Sequence, residues 1–281
     1  MPRIVHLSDV HVQLDWRQRS LWHSGWRGVP GRFELHGMGR LKRFAEAEAN
    51  VRRLLEAAER RDAERVILTG DLTALGDLDE LKVMRELLSP LIDAGRLFLI
   101  PGNHDRYTDS SRGRRFEQVF GDLLGSDLPE HADARGYPFV KLWGDRWAVV
   151  GLDSTRVHGW SQYVVGRVGQ GQLDALSRLL DDRRLAGRSV LVLSHHGPHG
   201  PSGEFDWRES GLLDAQAFVE VLRDRPVVLM HGHSHLRYWH RAGAGMPHRL
   251  GGGSSTEPGN AGFYEIELDS HLHLEAIEHR G

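Results

Sequence analysis

The chain of 281 residues contains no cysteine. A disulfide framework, a thiol nucleophile, a cysteine zinc finger and an iron–sulfur cluster are therefore excluded. Long apolar runs are missing too, and none approaches the roughly 18 residues that a membrane-spanning helix requires. A large excess of one charge is also absent. The 36 basic and 39 acidic side chains leave a formal charge of −3, which argues against a protein whose main task is gripping a nucleic-acid backbone. No stable nucleic-acid binding is expected and no protein partner is predicted. No targeting segment is recognisable, so the expected compartment is the cytoplasm. The composition is that of an ordinary globular protein, 40% hydrophobic and 27% charged, in a length that can bury a sizeable core. Histidine is plentiful, with 18 copies, and its placement carries the functional argument.

Short apolar runs alternate with amphipathic stretches. Ile4 to Leu7, Val66 to Leu68 and Leu97 to Ile100 read as buried strands. Between them, helical periodicity spans about Leu41 to Arg61 and Leu78 to Leu91. This βαβαβ opening predicts a parallel sheet with covering helices. Phe139 to Leu142 and Trp147 to Leu152 flank the turn pair Gly144-Asp145 and read as a hairpin. Next come a helix near Gln170 to Arg184, a strand at Val190 to Leu193, a helix around Asp214 to Arg223 and a strand at Val227 to Met230. The alternating tail around Phe263 to Leu268 adds a further strand, on a second sheet edge or a second sheet. No internal repeat or long linker interrupts the pattern, so a single domain over residues 1–281 is expected.

The residues just past each strand are informative. The first strand leads into Asp9-Val10-His11, the second into Gly70-Asp71 and the third into Gly102-Asn103-His104-Asp105. The strand at Val190 leads into His195-His196, and that at Val227 into His231-Gly232-His233-Ser234-His235. In open α/β sheets, groups beyond the carboxyl ends of strands converge on one crevice. Five strand ends thus deliver carboxylates, imidazoles and an amide to one place. Imidazole nitrogen with carboxylate oxygen suits Mn, Fe or Zn, whereas calcium wants oxygen alone. Reading both Asp9-x-His11 and His233-x-His235 as extended places each pair on one side of its segment. A shared carboxylate can hold two metals about 3.5–4 Å apart, and water between them, acidified to hydroxide, can attack phosphorus in line.

With these residues the sequence resembles the calcineurin-like metallophosphoesterases, whose pattern is D-x-H, G-D, G-N-H-D or G-N-H-E, a histidine after a strand, and G-H-x-H. All five blocks occur in order from Asp9 to His235. The resemblance implies an α/β fold, a two-sheet β-sandwich flanked by helices in four αββα layers. It implies two divalent or trivalent metal ions. Asp9, His11, Asp71 and His235 would hold one; Asp71, Asn103, His195 and His233 would hold the other. It further implies His104 as the catalytic side chain near the leaving group. The family uses the first histidine after the strand, so His196 is placed facing the substrate or behind the ligands. The implied activity is hydrolysis of a phosphodiester or pyrophosphate bond in a small-molecule or nucleotide-linked substrate.

Within the family, Gly70-Asp71-Leu72-Thr73 lacks the G-D-x-x-D-R continuation of the phosphoprotein phosphatases. Gly151-Leu152-Asp153-Ser154 and the stretch from Gly169 to Leu180 are more similar to the bacterial phosphodiesterase branch, which includes cyclic-nucleotide phosphodiesterases. Asp153 itself reads as a turn residue, and Gly251 to Ser255 as flexible turn material. A basic aromatic insertion lies at about 13–43. It holds Trp16, Trp22, Trp26 and Phe33, with seven basic against two acidic residues. Beside a phosphate site such a segment reads as a cap that could grip a lipid-linked anion or rest peripherally on the inner face of the membrane. It is similar, together with Arg115 to Gly121 and Tyr137 to Phe139, to relatives that cleave the pyrophosphate of UDP-2,3-diacylglucosamine in lipid A synthesis. A metal-free scaffold of the same fold is the non-enzymatic alternative. Such a scaffold would be expected to have dropped ligands, and this chain retains every one.

Overall fold

The computed structural model describes residues 2–14, 40–107, 114–155, 164–205, 211–269 and 274–280. Most of the basic insertion, 15–39, therefore lies outside the described residues. The first sheet contains β1 (Arg3–Leu7), β2 (Arg65–Leu68), β3 (Leu97–Leu99), β10 (Gly262–Leu268) and β11 (Leu274–Arg280), in the order β11-β10-β1-β2-β3. Strands β1, β2 and β3 run parallel, as the βαβαβ pattern predicts, and β10 closes antiparallel on β1 with Val5 opposite Glu265. The second sheet contains β4 (Phe139–Trp143), β5 (Trp147–Gly151), β6 (Ser189–Leu193), β7 (Val227–His231), β8 (Arg237–His240) and β9 (His248–Gly252), in the order β4-β5-β6-β7-β9-β8. The predicted hairpin joins β4 and β5, with Gly144 at φ 58° in its turn.

Side-chain alternation builds the layers. On β6, Leu191 and Leu193 join the core shared with the first sheet, while Val190 and Val192 join a second core beneath two helices. Those helices are α6 (Gln170–Leu180) and α7 (Ala215–Leu222), which bury Leu173, Leu176, Leu179, Phe218 and Leu222 against the second sheet. Helices α2 (Ala47–Arg60) and α3 (Leu78–Leu87) bury Val51, Leu54, Leu81 and Met84 with the strands of the first sheet. The expected two-sheet sandwich with flanking helices is thus present.

Two predicted helices are broken. The stretch from Leu41 to Arg61 divides into α1 (Arg40–Arg43) and α2, with Phe44 at the break turned inward against His11, ring centroids 4.7 Å apart. The stretch from Leu78 to Leu91 divides into α3 and α4 (Ser89–Asp93) because Pro90 has no N–H for a continuous ladder; it opens a new helix instead. Downstream lies α5 (Arg115–Phe120). No described helix is long and apolar enough to cross a membrane.

Candidate metal centre

The carboxyl ends of β1, β2, β3, β6 and β7 open towards one another, and the loops leaving them carry the five blocks. Backbone pairing continues past the strand ends. Asp9 N–H donates to the Gly70 carbonyl at 3.1 Å, and the amides of Val10 and His11 both donate to the Asp71 carbonyl at 3.0 Å. The segment is not extended as the period-two reading assumed. Asp9, His11, Asp71, His233 and His235 all have positive φ, between 48° and 71°. These left-handed residues turn the backbone inward at the first, second and last blocks, so the convergence of Asp9 with His11 and of His233 with His235 comes from the turns rather than from strand alternation. Two glycines allow the close approach. A Cβ on Gly102 would collide with the Asp71 backbone nitrogen, and one on Gly232 would collide with Ser8 Oγ.

Asp71 sits at the centre. Its Oδ1 lies 3.4 Å from His195 Nε2 and its Oδ2 lies 3.7 Å from His11 Nε2, so the two oxygens face different imidazoles. Asp9 Oδ1 lies 3.4 Å from His235 Nε2 and 3.9 Å from His11 Nε2. On the other side, Asn103 Oδ1 is 3.0 Å from both His195 Nε2 and His233 Nδ1. Asp9, His11 and His235 could form one ion-holding group; Asp9, Asp71 and His195 another; His195, His196 and His233 a third.

The atoms behind these groups set their chemistry. His195 Nδ1 donates to the Thr69 carbonyl at 2.7 Å, which leaves the lone pair on Nε2. His235 Nδ1 is 2.7 Å from the Glu257 carboxylate, with the same consequence. Asp9 Oδ2 accepts from Ser8 Oγ at 2.6 Å and from the His233 amide at 2.9 Å, while the buried Oδ1 has no hydrogen-bond partner among the described residues. Lone pairs of nitrogen and oxygen therefore converge at 3.0–3.9 Å with few hydrogens between them. Such a set repels itself in isolation and is satisfied by a cation, so the donor set fits the ions implied by the sequence.

In the ion-free protein the imidazoles divide: burial opposes charge on His195, but the Asp71 carboxylate beside it outweighs this and pushes that imidazole up to about 9, so an ion bound there displaces a proton. Burial opposes charge on Asp71, but the imidazoles of His195, His104 and His11 outweigh it and hold its carboxyl well below the usual range. Burial, partly offset by His195 and reinforced by Asp71, pushes the Asp9 carboxyl up. Burial pushes the His233 imidazole down to about 3, with the charge of His195 adding to the effect. The neutral imidazole that results is the ligand form.

His104 lies at the rim of the Asp71 group. Its amide donates to Asp71 Oδ1 at 2.8 Å, its Nδ1 donates to the Ala74 carbonyl at 2.9 Å, and its ring stacks on Tyr107 at 4.5 Å. His196 is fully buried. Its Nδ1 meets Ser154 Oγ at 2.9 Å and its ring lies 4.3 Å from that of His233, behind the Asn103 side of the centre. His199 and His240 stay outside the cluster; His199 stacks on Phe205 at 4.6 Å.

Three features escaped sequence reasoning. Asp105, a block member with no role assigned from sequence, accepts from the amides of Leu72, Thr73 and Gly102 and so ties the second loop to the third. Asp153 shapes a turn as expected, its Oδ1 accepting from the Thr155 amide at 2.9 Å, but it is also a buried ion-pair member, with Oδ2 3.2 Å from Arg106. The stretch read as flexible turn material is ordered and buried. Gly251 and Gly252 end β9, and Ser254 to Glu257 line the centre.

The family model for calcineurin-like phosphoesterases matches residues 2–237. The chain belongs to that family. As a calcineurin-like phosphoesterase it is a hydrolase of phosphoester bonds. It is 32% identical over 214 residues to the 3′,5′-cyclic adenosine monophosphate phosphodiesterase CpdA of Pseudomonas aeruginosa, covering 74% of this chain and 67% of that one. Among solved structures it is similar to a dimetal phosphatase from Danio rerio, with a TM-score of 0.60 at 15% identity over 99% of this phosphoesterase and 98% of that chain. It is also similar to the purple acid phosphatase PPD1 of yellow lupin, with a TM-score of 0.51 at 15% identity over 99% of this chain and 51% of that one. These two likenesses concern the fold.

Proposed function

We propose that this chain is a dinuclear metal-dependent phosphodiesterase that hydrolyses a small nucleotide-type phosphodiester, with cyclic AMP as the first substrate to test. The observation that carries the two-ion reading is Asp71, whose two oxygens face His195 at 3.4 Å and His11 at 3.7 Å and so can serve both sides. In this reading Asp9, His11 and His235 complete one side, and Asn103, His195 and His233 the other. The nitrogen and oxygen donors suit Mn, Fe or Zn. When bound, the ions supply Lewis acidity towards the phosphoryl oxygens and lower the pKa of water in the site.

The chain's own groups do the rest. The Ala74 carbonyl accepts the Nδ1 proton of His104, so the form that acts is the imidazolium, whose second proton on Nε2 can stabilise charge on the leaving oxygen or pass to it. The stack on Tyr107 keeps the ring in that orientation. Asp105 fixes the backbone on which both Asp71 and His104 ride.

The relative named as a cyclic AMP phosphodiesterase supports the substrate class. A lipid-linked pyrophosphate is the second reading, favoured by the basic aromatic insertion at 13–43. Two further segments behind that reading serve the interior, since Phe116 and Phe120 are core residues and Tyr137 Oη donates to Glu117 at 3.3 Å. The test is a panel of cyclic AMP, bis(p-nitrophenyl) phosphate, UDP-2,3-diacylglucosamine and a phosphomonoester with Mn²⁺-loaded protein. Diester turnover that disappears in Asp71→Ala supports the proposal; no turnover with any first-row metal overturns it.

A further inference from the structure

We infer that Glu257 is the positioning residue for His235, fixing the tautomer and direction in which that imidazole faces Asp9 and His11. The inference rests on the two-ion reading of the centre. Glu257 ends the segment Ser254 to Glu257, which crosses from the second sheet to the first between β9 and β10.

This segment is stitched to two of the five loops that meet at the centre. Ser254 Oγ donates to the Asp9 carbonyl at 2.8 Å, and Thr256 Oγ1 donates to the Val10 carbonyl at 2.7 Å. Ser8 N–H donates to Ser255 Oγ at 3.0 Å, and the Ser255 amide returns a bond to the Ser8 carbonyl at 2.9 Å. The Ser254 amide donates to the carbonyl of His235 at 3.2 Å. The backbone that bears Glu257 is therefore set against the first and last blocks of the centre at once.

The Glu257 side chain is 5% exposed. Its Oε2 lies 2.7 Å from His235 Nδ1, and its Oε1 is ion-paired with Arg43. A carboxylate has no hydrogen to give, so the proton of this bond belongs to Nδ1 and Nε2 is left as an acceptor. Nε2 is the atom that faces Asp9 Oδ1 at 3.4 Å and His11 Nε2 at 3.0 Å. An imidazole that donates its outer N–H to a carboxylate is held in ligand orientation, and loss of such a partner weakens metal affinity by about 10–100-fold. An amide in the same place could instead donate to Nδ1 and stabilise the opposite tautomer. Arg43 ends both α1 and the insertion, so the same carboxylate joins that segment to the centre.

The test is calorimetric titration of ion-free full-length protein with Mn²⁺, with inductively coupled plasma mass spectrometry for stoichiometry. Wild type is expected to take two ions, and His235→Ala to lose one binding step. Glu257→Gln is expected to weaken that same step by about 10–100-fold and to leave the other unchanged. Equal weakening of both steps, or the same loss in Arg43→Gln, shows a general loop-holding ion pair and overturns the assignment. Unchanged steps in Glu257→Gln overturn it while the two-ion reading stands. A wild-type protein that binds no ion overturns both. Should the glutamine variant fail to fold, long-range ¹H–¹⁵N spectra of ion-free wild type decide. His235 protonated on Nδ1 supports the inference, and protonation on Nε2 overturns it.

Discussion

The Nε2 atoms of His11 and His235 lie 3.0 Å apart, although these residues are 224 positions apart in the chain. At that distance one nitrogen must carry a proton for the pair to attract, whereas a cation between them accepts both lone pairs. Ion binding should therefore stabilise the fold and release protons. Protein stripped with chelator is expected to melt at lower temperature than protein with Mn²⁺. At one hundred times the dissociation constant, each site contributes about 2.7 kcal/mol. Scanning calorimetry against ion concentration, with titration in buffers of differing ionisation enthalpy, measures both effects. An unchanged melting temperature contradicts the two-ion reading.

Replacing His104 separates catalysis from ion holding. His104→Gln retains a polar side chain but cannot donate a proton as an imidazolium does. Loss of a general acid typically lowers kcat by about 10²–10⁴. Ion stoichiometry should remain that of wild type, because the His104 amide holds Asp71 Oδ1 whatever side chain stands at 104. The loss should shrink with substrates whose leaving group is a weak base, such as p-nitrophenolate, and be largest with an alkoxide leaving group. A uniform loss across leaving groups contradicts the assigned role.

Stability depends on a buried ion-pair network beside the centre. Arg106 is 6% exposed, with Nη1 2.6 Å from Glu117 and Nη2 3.2 Å from Asp153. Arg106→Met leaves the buried Asp153 and the half-buried Glu117 with only the more distant Arg135 at 3.9 Å and Arg114 at 3.8 Å, and breaking a buried pair in this way costs up to about 3–5 kcal/mol. Adding Glu117→Gln removes one of those charges and should restore part of the loss. Urea denaturation of the single and double variants completes the cycle, and strictly additive effects contradict direct coupling.

The site was legible where chemistry sits at strand ends. The runs Ile4 to Leu7, Val66 to Leu68 and Val227 to Met230 are strands, and the polar residues beyond them meet because parallel strands point the same way. Two things were not legible. The left-handed turns at Asp9 and His11 break the strand period, and no local signal distinguishes them from extended chain. Glu257 lies two residues past the stretch from Gly251 to Ser255 that sequence reads as loose. Its role depends on bonds to residues some 250 positions away, such as Ser254 to Asp9 and Thr256 to Val10. Helix breaks obey the same logic, since Phe44 leaves the helical path to pack against a ring that only the fold supplies.

His6 gives the stability a pH dependence of known sign. It is fully buried in β1, with Nε2 2.9 Å from Thr69 Oγ1 and its ring close to Gly252 of the facing sheet. Burial, then the charges of His231 and Arg237, lowers its pKa from 6.5 to about 3. The folded state therefore keeps His6 neutral where the unfolded chain binds a proton. Stability is unaffected by this group above about pH 6.5, and falls as the pH drops from there towards 3. The slope from one such group is at most about 1.4 kcal/mol per pH unit. His6→Gln can keep a hydrogen bond to Thr69 and has no proton to gain, so its stability curve between pH 6 and 4 should be flatter by about that slope. Denaturant melts of ion-free wild type and variant at matched ionic strength measure the difference, and parallel curves would show that His6 is protonated alike in both states.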